Sequence, residues 1–499
     1  MTRSLLLGVR VLDPDAPAGP VDVEIRDGRF GSITAASGTA SGDHVLHLDG
    51  AVLTPAFVDA HVHATATGLL VDGLDLASCD SARALLDAVS ARAAARPGAL
   101  VWGHGWQDQG WPDAAPGRAA LDRAAAGAPV YLSRVDVHSA LVSSALLDRA
   151  PAAVGAPGWS DGALTAQAHH HARAAALAAV DGPVRDAAQH AFLADAAARG
   201  IGVVHECAGP DISSREDLAA LRNRPGPDVV GYWGEAVDGA DAARDLLAAT
   251  GAHGLAGDLF VDGSIGSRTA ALRAAYTDSP GCLGNRYLDV DAVAAHLAAC
   301  TAVGTQAGFH VIGDAAAATL VEALDRVGDG RTSGVRHRVE HLEMVDAHQI
   351  AALARHGVVA SVQPLFDAYW GGGSDLYAQR LGPRAAAMNP FAALHAAGVV
   401  LALGSDAPVT PLGPWAAVRA AVEHRTPGSG LTRAQALTAH TVGGHRAAGE
   451  RDPLAGRVVE GAPASYALWD GDGTACVPRC LRTVQRGRML FDTLDARAG

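Results

Sequence analysis

Lysine is absent from all 499 residues; the 39 basic side chains are every one an arginine. Chemistry that needs a primary amine goes with it. No Schiff base can form on the chain, no carbamylated lysine can bridge two metal ions, and no GxxxxGK[ST] phosphate loop exists. Long apolar runs are missing too, since none approaches the ~18 residues of a membrane span. The formal net charge of −14 argues against nucleic acid or an anionic membrane as partner, because phosphate binding needs a basic footprint. The six cysteines are scattered. Cys476 and Cys480 lie close, but no second pair completes a zinc knuckle. The first residues, MTRSLLLGVR, lack the apolar core and cleavage site of a signal peptide. A reduced, cytoplasmic protein is therefore expected.

What is present is a chain that is 49% hydrophobic, enough to bury a large core. The length suggests two to four domain-sized units or one large barrel with additions. Residues 1–54 read as short strands with a hairpin signal at Asp27-Gly28. Residues 455–499 carry a second set, Ala464–Trp469 and Thr483–Arg488. The two ends are expected to pair into one small β-domain. From Phe57 the pattern becomes apolar strands alternating with Ala-rich helical stretches. The strand candidates are Phe57–His61, Gly202–Glu206, Val229–Gly234, Asp258–Asp262, Thr305–His310, Arg338–His341, Val358–Gln363 and Val399–Gly404. Eight such strands predict an α/β fold, a (β/α)8 barrel over 55–65 and 196–454, with reactive residues at the C-terminal strand ends. The long gap after the first strand, 66–195, reads as an inserted subdomain that would lie over the barrel mouth as a lid.

The strand ends carry the chemistry. His61-Val62-His63 puts two imidazoles on one face of an extended strand, a spacing that suits one divalent ion. Strand five ends in His310, strand six in His341, and strand eight in Asp406 before a turn proline. Any one of them alone is more often an ordinary polar residue. Gathered at one barrel rim, His61, His63, His310, His341 and Asp406 form the donor set of a hydrolytic metal site, where a bound water's pKa falls toward ~7.

The chain here resembles the amidohydrolase superfamily, and within it amidohydrolase family 3, the branch that includes N-substituted formamide deformylase. The resemblance rests on Pro55-Ala-Phe-Val-Asp-Ala-His-Val-His63, Gly103-His-Gly-Trp106, Pro129-Val-Tyr-Leu-Ser-Arg-Val-Asp-Val-His138, Asp262-Gly-Ser-Ile-Gly-Ser-Arg-Thr-Ala270, His310-Val-Ile-Gly-Asp314, Arg338-Val-Glu-His341 and Gly404-Ser-Asp-Ala-Pro408. It implies a metal-dependent (β/α)8 hydrolase of non-peptide C–N bonds with a β-sandwich split between the chain ends, and the same five residues as metal ligands. One departure stands out. Two-metal members carry a carbamylated lysine where this chain reads Asp258-Leu-Phe-Val-Asp-Gly-Ser264. An aspartate is several ångströms shorter, so it is not expected to bridge two ions unaided. One Zn2+ is favoured over two, with other divalent metals open. Asp258, or Glu206 and Cys207 at the end of strand two, are candidate extra ligands, although alternation puts Glu206 on the face opposite Cys207.

The expected reaction is attack of metal-activated water on an amide or formamide carbon of a small molecule. Asp406 carries the proton to the leaving nitrogen and His341 polarises the carbonyl. Arg268, His138 and Trp106 are candidate substrate contacts, Arg268 through a bidentate bond to a carboxylate. The triple histidine 169–171 is expected on a solvated helix face. A deaminase or cyclic-amide hydrolase would use the same metal set, and the missing lysine also allows a non-catalytic scaffold or binding protein. A lactonase or phosphoester hydrolase would rest on the barrel alone. A homodimer is compatible with such a barrel.

Overall fold

The computed structural model describes residues 3–13, 19–37, 44–71, 73–328 and 334–494. Strands from both chain ends lie in one eight-stranded sheet, in which Val52–Pro55 pairs with Tyr466–Trp469. Asp27 and Gly28, at φ 51° and 75°, turn Pro20–Arg26 into Arg29–Ala35, the paired left-handed residues that a two-residue hairpin needs. Arg486 and Gly487 do the same at φ 49° and 78° between Cys480–Gln485 and Arg488–Asp492. The expected strand Thr483–Arg488 is therefore broken by a turn, because an arginine stands where asparagine or aspartate would have announced it.

Parallel strands follow in chain order. Phe57–Val62, Ile201–Ala208 and Asp228–Trp233 form one sheet; Gly308–Val311, Arg338–His341, Val359–Val362 and Val400–Leu403 form another. The expected strand Asp258–Asp262 is not regular. The segment makes one isolated bridge, Phe260 to His310, and the residues just before it make two more, Tyr232 to Gly254 and Leu255 to Ala307. Glycine explains the irregularity: Gly257 has φ 86°, and a Cβ there would lie 3.0 Å from the Cys207 Cβ, so the backbone presses close instead of pleating. A bridge from Val62 to Ala407 returns the order to its start.

Helices such as Val290–Val303, Asp314–Val327 and Ala347–His356 pack their Leu, Val and Ala faces on the outer side of these strands. Trp469 couples the terminal sheet to this core by packing on Phe57 and Trp415. Residues after Val62 build a separate five-stranded sheet, Leu74–Asp75 through Leu164–Thr165, with cores of its own. Among the described residues no helix is long and apolar enough to cross a membrane.

Closure depends on a glycine. A Cβ at Gly404 would stand 2.7 Å from the His61 amide nitrogen and 2.9 Å from its Cβ. Gly404→Ala is expected to lower unfolding free energy by about 1–3 kcal/mol, read as a drop in denaturation midpoint, with divalent metal held less tightly than in the parent.

Candidate metal centre

Two backbone bonds set the first half of the site. The Asp406 N–H donates to the His61 carbonyl at 2.8 Å, and the His63 N–H donates to the Ala407 carbonyl at 2.9 Å. On the same face, Asp59 accepts from the Ser405 N–H at 2.8 Å. The last strand's loop is thereby stitched to the first strand, and Asp406 stands beside both histidines. His341 arrives differently. Arg338 and Glu340 both reach inward, so alternation would send His341 outward with Val339. Its φ of 72° breaks the strand and turns the ring back. Asp406 is left-handed too, at φ 55°. Such conformations cost of order 1–3 kcal/mol each and concentrate where a site demands them.

Asp258 lies at the centre of the group. Its Oδ2 is 3.2 Å from His63 Nε2, and its Oδ1 is 3.5 Å from His61 Nε2, 3.4 Å from His310 Nδ1 and 3.7 Å from His341 Nε2. Asp406 Oδ1 is 3.4 Å from His61 Nε2 and 3.1 Å from His63 Nε2. Ligands at about 2.0–2.1 Å around a tetrahedral zinc stand about 3.3–3.4 Å apart. Asp406 Oδ1 has that spacing from both His61 and His63 Nε2; His61, His63 and Asp406 form one group of donors within 4.8 Å of one another, and His61, Asp258 and His341 a second. The Nε2 atoms of His61 and His341 and Oδ1 of Asp406 are buried without a hydrogen-bond partner, a cost that a shared cation removes.

The electrostatics agree. Burial alone would keep His61 and His63 neutral. For His61 it is overcome by the charges of Cys207, Asp258 and Asp406, which raise the pKa well above its ordinary value; for His63 the bonds and charges of Asp258 and Asp406 raise it to about 9. The same contacts hold Asp258 and Asp406 below the usual carboxylate range despite burial. A field that favours positive charge this strongly, lined with nitrogen and oxygen donors, fits a divalent ion.

A second set of groups holds these donors in place. The His61 Nδ1–H donates to Glu340 Oε2 at 2.9 Å. Glu340 is gripped by Arg338 through bonds of 2.6 and 2.9 Å, and Arg338 also donates to the Ala60 carbonyl and His205 Nδ1. The arginine charge holds the Glu340 carboxyl far below its usual range against the opposing effect of burial. The His341 Nδ1–H donates to Gln363 Oε1 at 2.7 Å. Each bond fixes a tautomer and aims Nε2 at Asp258. Reading the sequence did not find Arg338, Glu340 or Gln363 in these roles. The inward period of two in Arg338-Val-Glu340 was the available signal.

The other candidates separate. Cys207 faces His61 from Ile201–Ala208, with its thiol pushed up to about 12 by burial. Glu206 points the other way and accepts the Ala64 N–H at 2.7 Å. His138 lines a narrow cavity of ≈ 20 Å³ beside His310, His341 and Asp406, room for about one water until its walls part. Arg268 is not brought there: its guanidinium lies on Asp278 at 3.1 and 2.8 Å. Trp106 is packed under Arg134, and its indole N–H donates to the Leu132 carbonyl. His104, from the same segment, donates from Nε2 to the Pro408 carbonyl at 2.9 Å, tying the inserted sheet to the Asp406 loop. The solvated face expected at 169–171 holds only for His171. His169 is buried against the Tyr131 hydroxyl and His170 stacks on Phe260, because the helix Ala166–Ala178 turns these positions toward the barrel.

A profile described as Amidohydrolase family matches residues 44–491. The chain is 26% identical to the putative amidohydrolase YtcJ of Bacillus subtilis over 90% of each sequence. It is 25% identical to Protein LONG AFTER FAR-RED 3 of Arabidopsis thaliana, covering 94% of this chain and 88% of that one. Among solved structures, an uncharacterized metal-dependent hydrolase from Pyrococcus furiosus superposes with a TM-score of 0.72 at 22% identity, over 94% of this chain and 99% of that one. One from Pyrococcus horikoshii gives 0.72 at 21%, over 98% and 100%. These likenesses show the fold, a TIM-type barrel.

Glu340→Gln tests the support behind His61. Metal affinity, measured by competition with a chromogenic chelator, is expected to fall about 10–100-fold. The Arg338 charge left unpaired is expected to cost about 3–5 kcal/mol of stability.

Proposed function

The chain belongs to the amidohydrolase family, and from that premise we propose a metal-dependent hydrolase that cleaves a non-peptide C–N bond, an amide or formamide, of a small molecule. The observation that carries the reading is the spacing of His61, His63 and Asp406, whose buried donor atoms lie within 4.8 Å of one another, with Asp406 Oδ1 3.4 and 3.1 Å from the two Nε2 atoms. These three would hold one divalent ion and leave a position for water, Zn2+ by preference for the mixed imidazole and carboxylate set. The ion supplies Lewis acidity and makes water nucleophilic near neutral pH.

The protein does the rest. The buried Asp406 carboxylate, through the oxygen not turned to the His61 and His63 Nε2 atoms, takes the proton of the attacking water and delivers it to the leaving nitrogen. His341, held by Gln363, presents Nε2 to the cavity side of Asp258 and orients the carbonyl oxygen. His138, kept neutral because burial and the neighbouring His310 lower its pKa to about 3, forms the opposite wall. The division into terminal β-domain, barrel and inserted lid belongs to the same reading.

One observation favours a second ion. His310 Nδ1 and the partnerless His341 Nε2 both face Asp258 Oδ1, so Asp258 could be shared between two metals. Charge favours one: Asp258 and Asp406 neutralise a single divalent cation, whereas a second would leave uncompensated positive charge in a buried site. Elemental analysis of purified protein is expected to give one equivalent, and two firmly held equivalents would replace this reading with the two-ion one. Asp406→Asn is expected to keep the circular dichroism of the parent and to lose about 10²–10⁴-fold in kcat on N-formyl and N-acyl amines. Protein that takes up metal but cleaves none of them favours a deaminase or cyclic-amide hydrolase. Protein that holds no metal even when supplied favours a scaffold.

A further inference from the structure

The reacting groups occupy one side of the cavity; the other side carries a different chemistry. The cavity is lined by three acidic side chains, Asp136, Glu343 and Asp406, beside His138, His310 and His341, and no arginine is among its lining residues. Phe366, Trp370 and Tyr377 form a continuous aromatic wall, with ring centroids 4.9 Å apart for the first pair and 6.2 Å for the second. The Tyr377 hydroxyl donates to Glu343.

Asp136 is the informative residue. It is only 6% exposed, yet its hydrogen bonds all fall on one oxygen. Oδ2 accepts from the Ser264 and Ser267 hydroxyls, each at 2.8 Å, and from Arg134 Nη1 at 3.1 Å. Oδ1 is buried with no partner. A carboxylate oxygen can only accept, and a buried acceptor without a donor is costly. The surroundings are built to keep this arrangement. A Cβ at Gly266 would lie 2.5 Å from Asp136 Oδ2 and 2.8 Å from Arg134 Nη1. Val137, between Asp136 and His138, is held at φ 49°, a conformation that a β-branched residue adopts only under constraint.

We propose that the substrate carries, at the end remote from the bond cleaved, a protonated amine or amidine whose N–H donates to Asp136 Oδ1 and whose charge rests against the Phe366–Trp370–Tyr377 wall. The inference rests on the hydrolase reading for the reacting end and specifies the other end. A cation there gains both a charge-assisted hydrogen bond and ring contacts. A carboxylate there would face the Asp136 carboxylate, while Arg268 is paired with Asp278 and Arg134 Nη1 with Asp136.

The test uses three formamides of one arylalkyl amine that differ only at the far end, bearing an ammonium, a hydroxyl or a carboxylate group. With metal-loaded full-length protein, kcat/KM is expected to be about tenfold or more higher for the ammonium than for the hydroxyl compound, and lowest for the carboxylate. In Asp136→Asn the gap between ammonium and hydroxyl closes while the hydroxyl compound is still turned over. Equal rates in the parent, a preference for the carboxylate, or a preference that survives in Asp136→Asn overturns the proposal. Should the variant not fold, the parent's order alone decides. Should none of the three be cleaved, the formamide reading of the reacting end fails by itself. Calorimetric binding of the same compounds then decides this inference, with the ammonium tighter by about tenfold if it holds and no such order if it does not.

Discussion

A single buried carboxylate, Asp258, touches four imidazoles from three different strands, and the arrangement of the centre follows from satisfying it. A carboxylate removed from water is tolerable only when positive charge and donors surround it. Four histidines do so here, and each is aimed by something else. His61 is set by Glu340 and Arg338, His341 by Gln363, His310 by the Gly263 carbonyl, and His63 by its backbone bond to Ala407. The cost of burying so many ionisable groups is offset only if they share a cation. That is why the donor spacing and the partnerless nitrogens point to the same conclusion.

The same demand explains the backbone. His341 and Asp406 both sit in left-handed conformations at the ends of strands, where ordinary strand geometry would carry their side chains away from the centre. The strain is held by packing, by the bridge of Val62 to Ala407 and by the clamp from His104 to the Pro408 carbonyl. This clamp makes the inserted sheet part of the site. It supplies His104 from below the Asp406 loop, and the segment after Arg134 places Asp136 and His138 in the cavity wall. The clustered histidines and carboxylates thus come from the barrel strands, and the facing wall of the cavity comes largely from the insertion and the loop after Val359–Val362. Division of that kind lets substrate range change without disturbing the metal donors.

Much of this was written in local patterns. Alternation in His61-Val-His63 put two rings on one face, and apolar runs ending in His310, His341 and Asp406 marked the strands that bear them, because a period of two needs no knowledge of distant contacts. The hairpin at Asp27-Gly28 was legible for the same reason. What local pattern could not supply was reach. Asp258 looked too short to join several donors. The glycine at 257 lets an irregular backbone press against Cys207, which carries the short side chain to the centre. Arg338 and Glu340 read as ordinary polar strand residues until the barrel interior was assembled around them, and His169 and His170 read as solvated until a partner surface covered their helix. Composition and periodicity determined the class of fold, the missing lysine chemistry and the identity of most residues that cluster at the centre. Which donors meet, which tautomers they hold and which oxygen of Asp136 is left without a donor were decided only by tertiary packing, since these depend on distances between segments hundreds of residues apart.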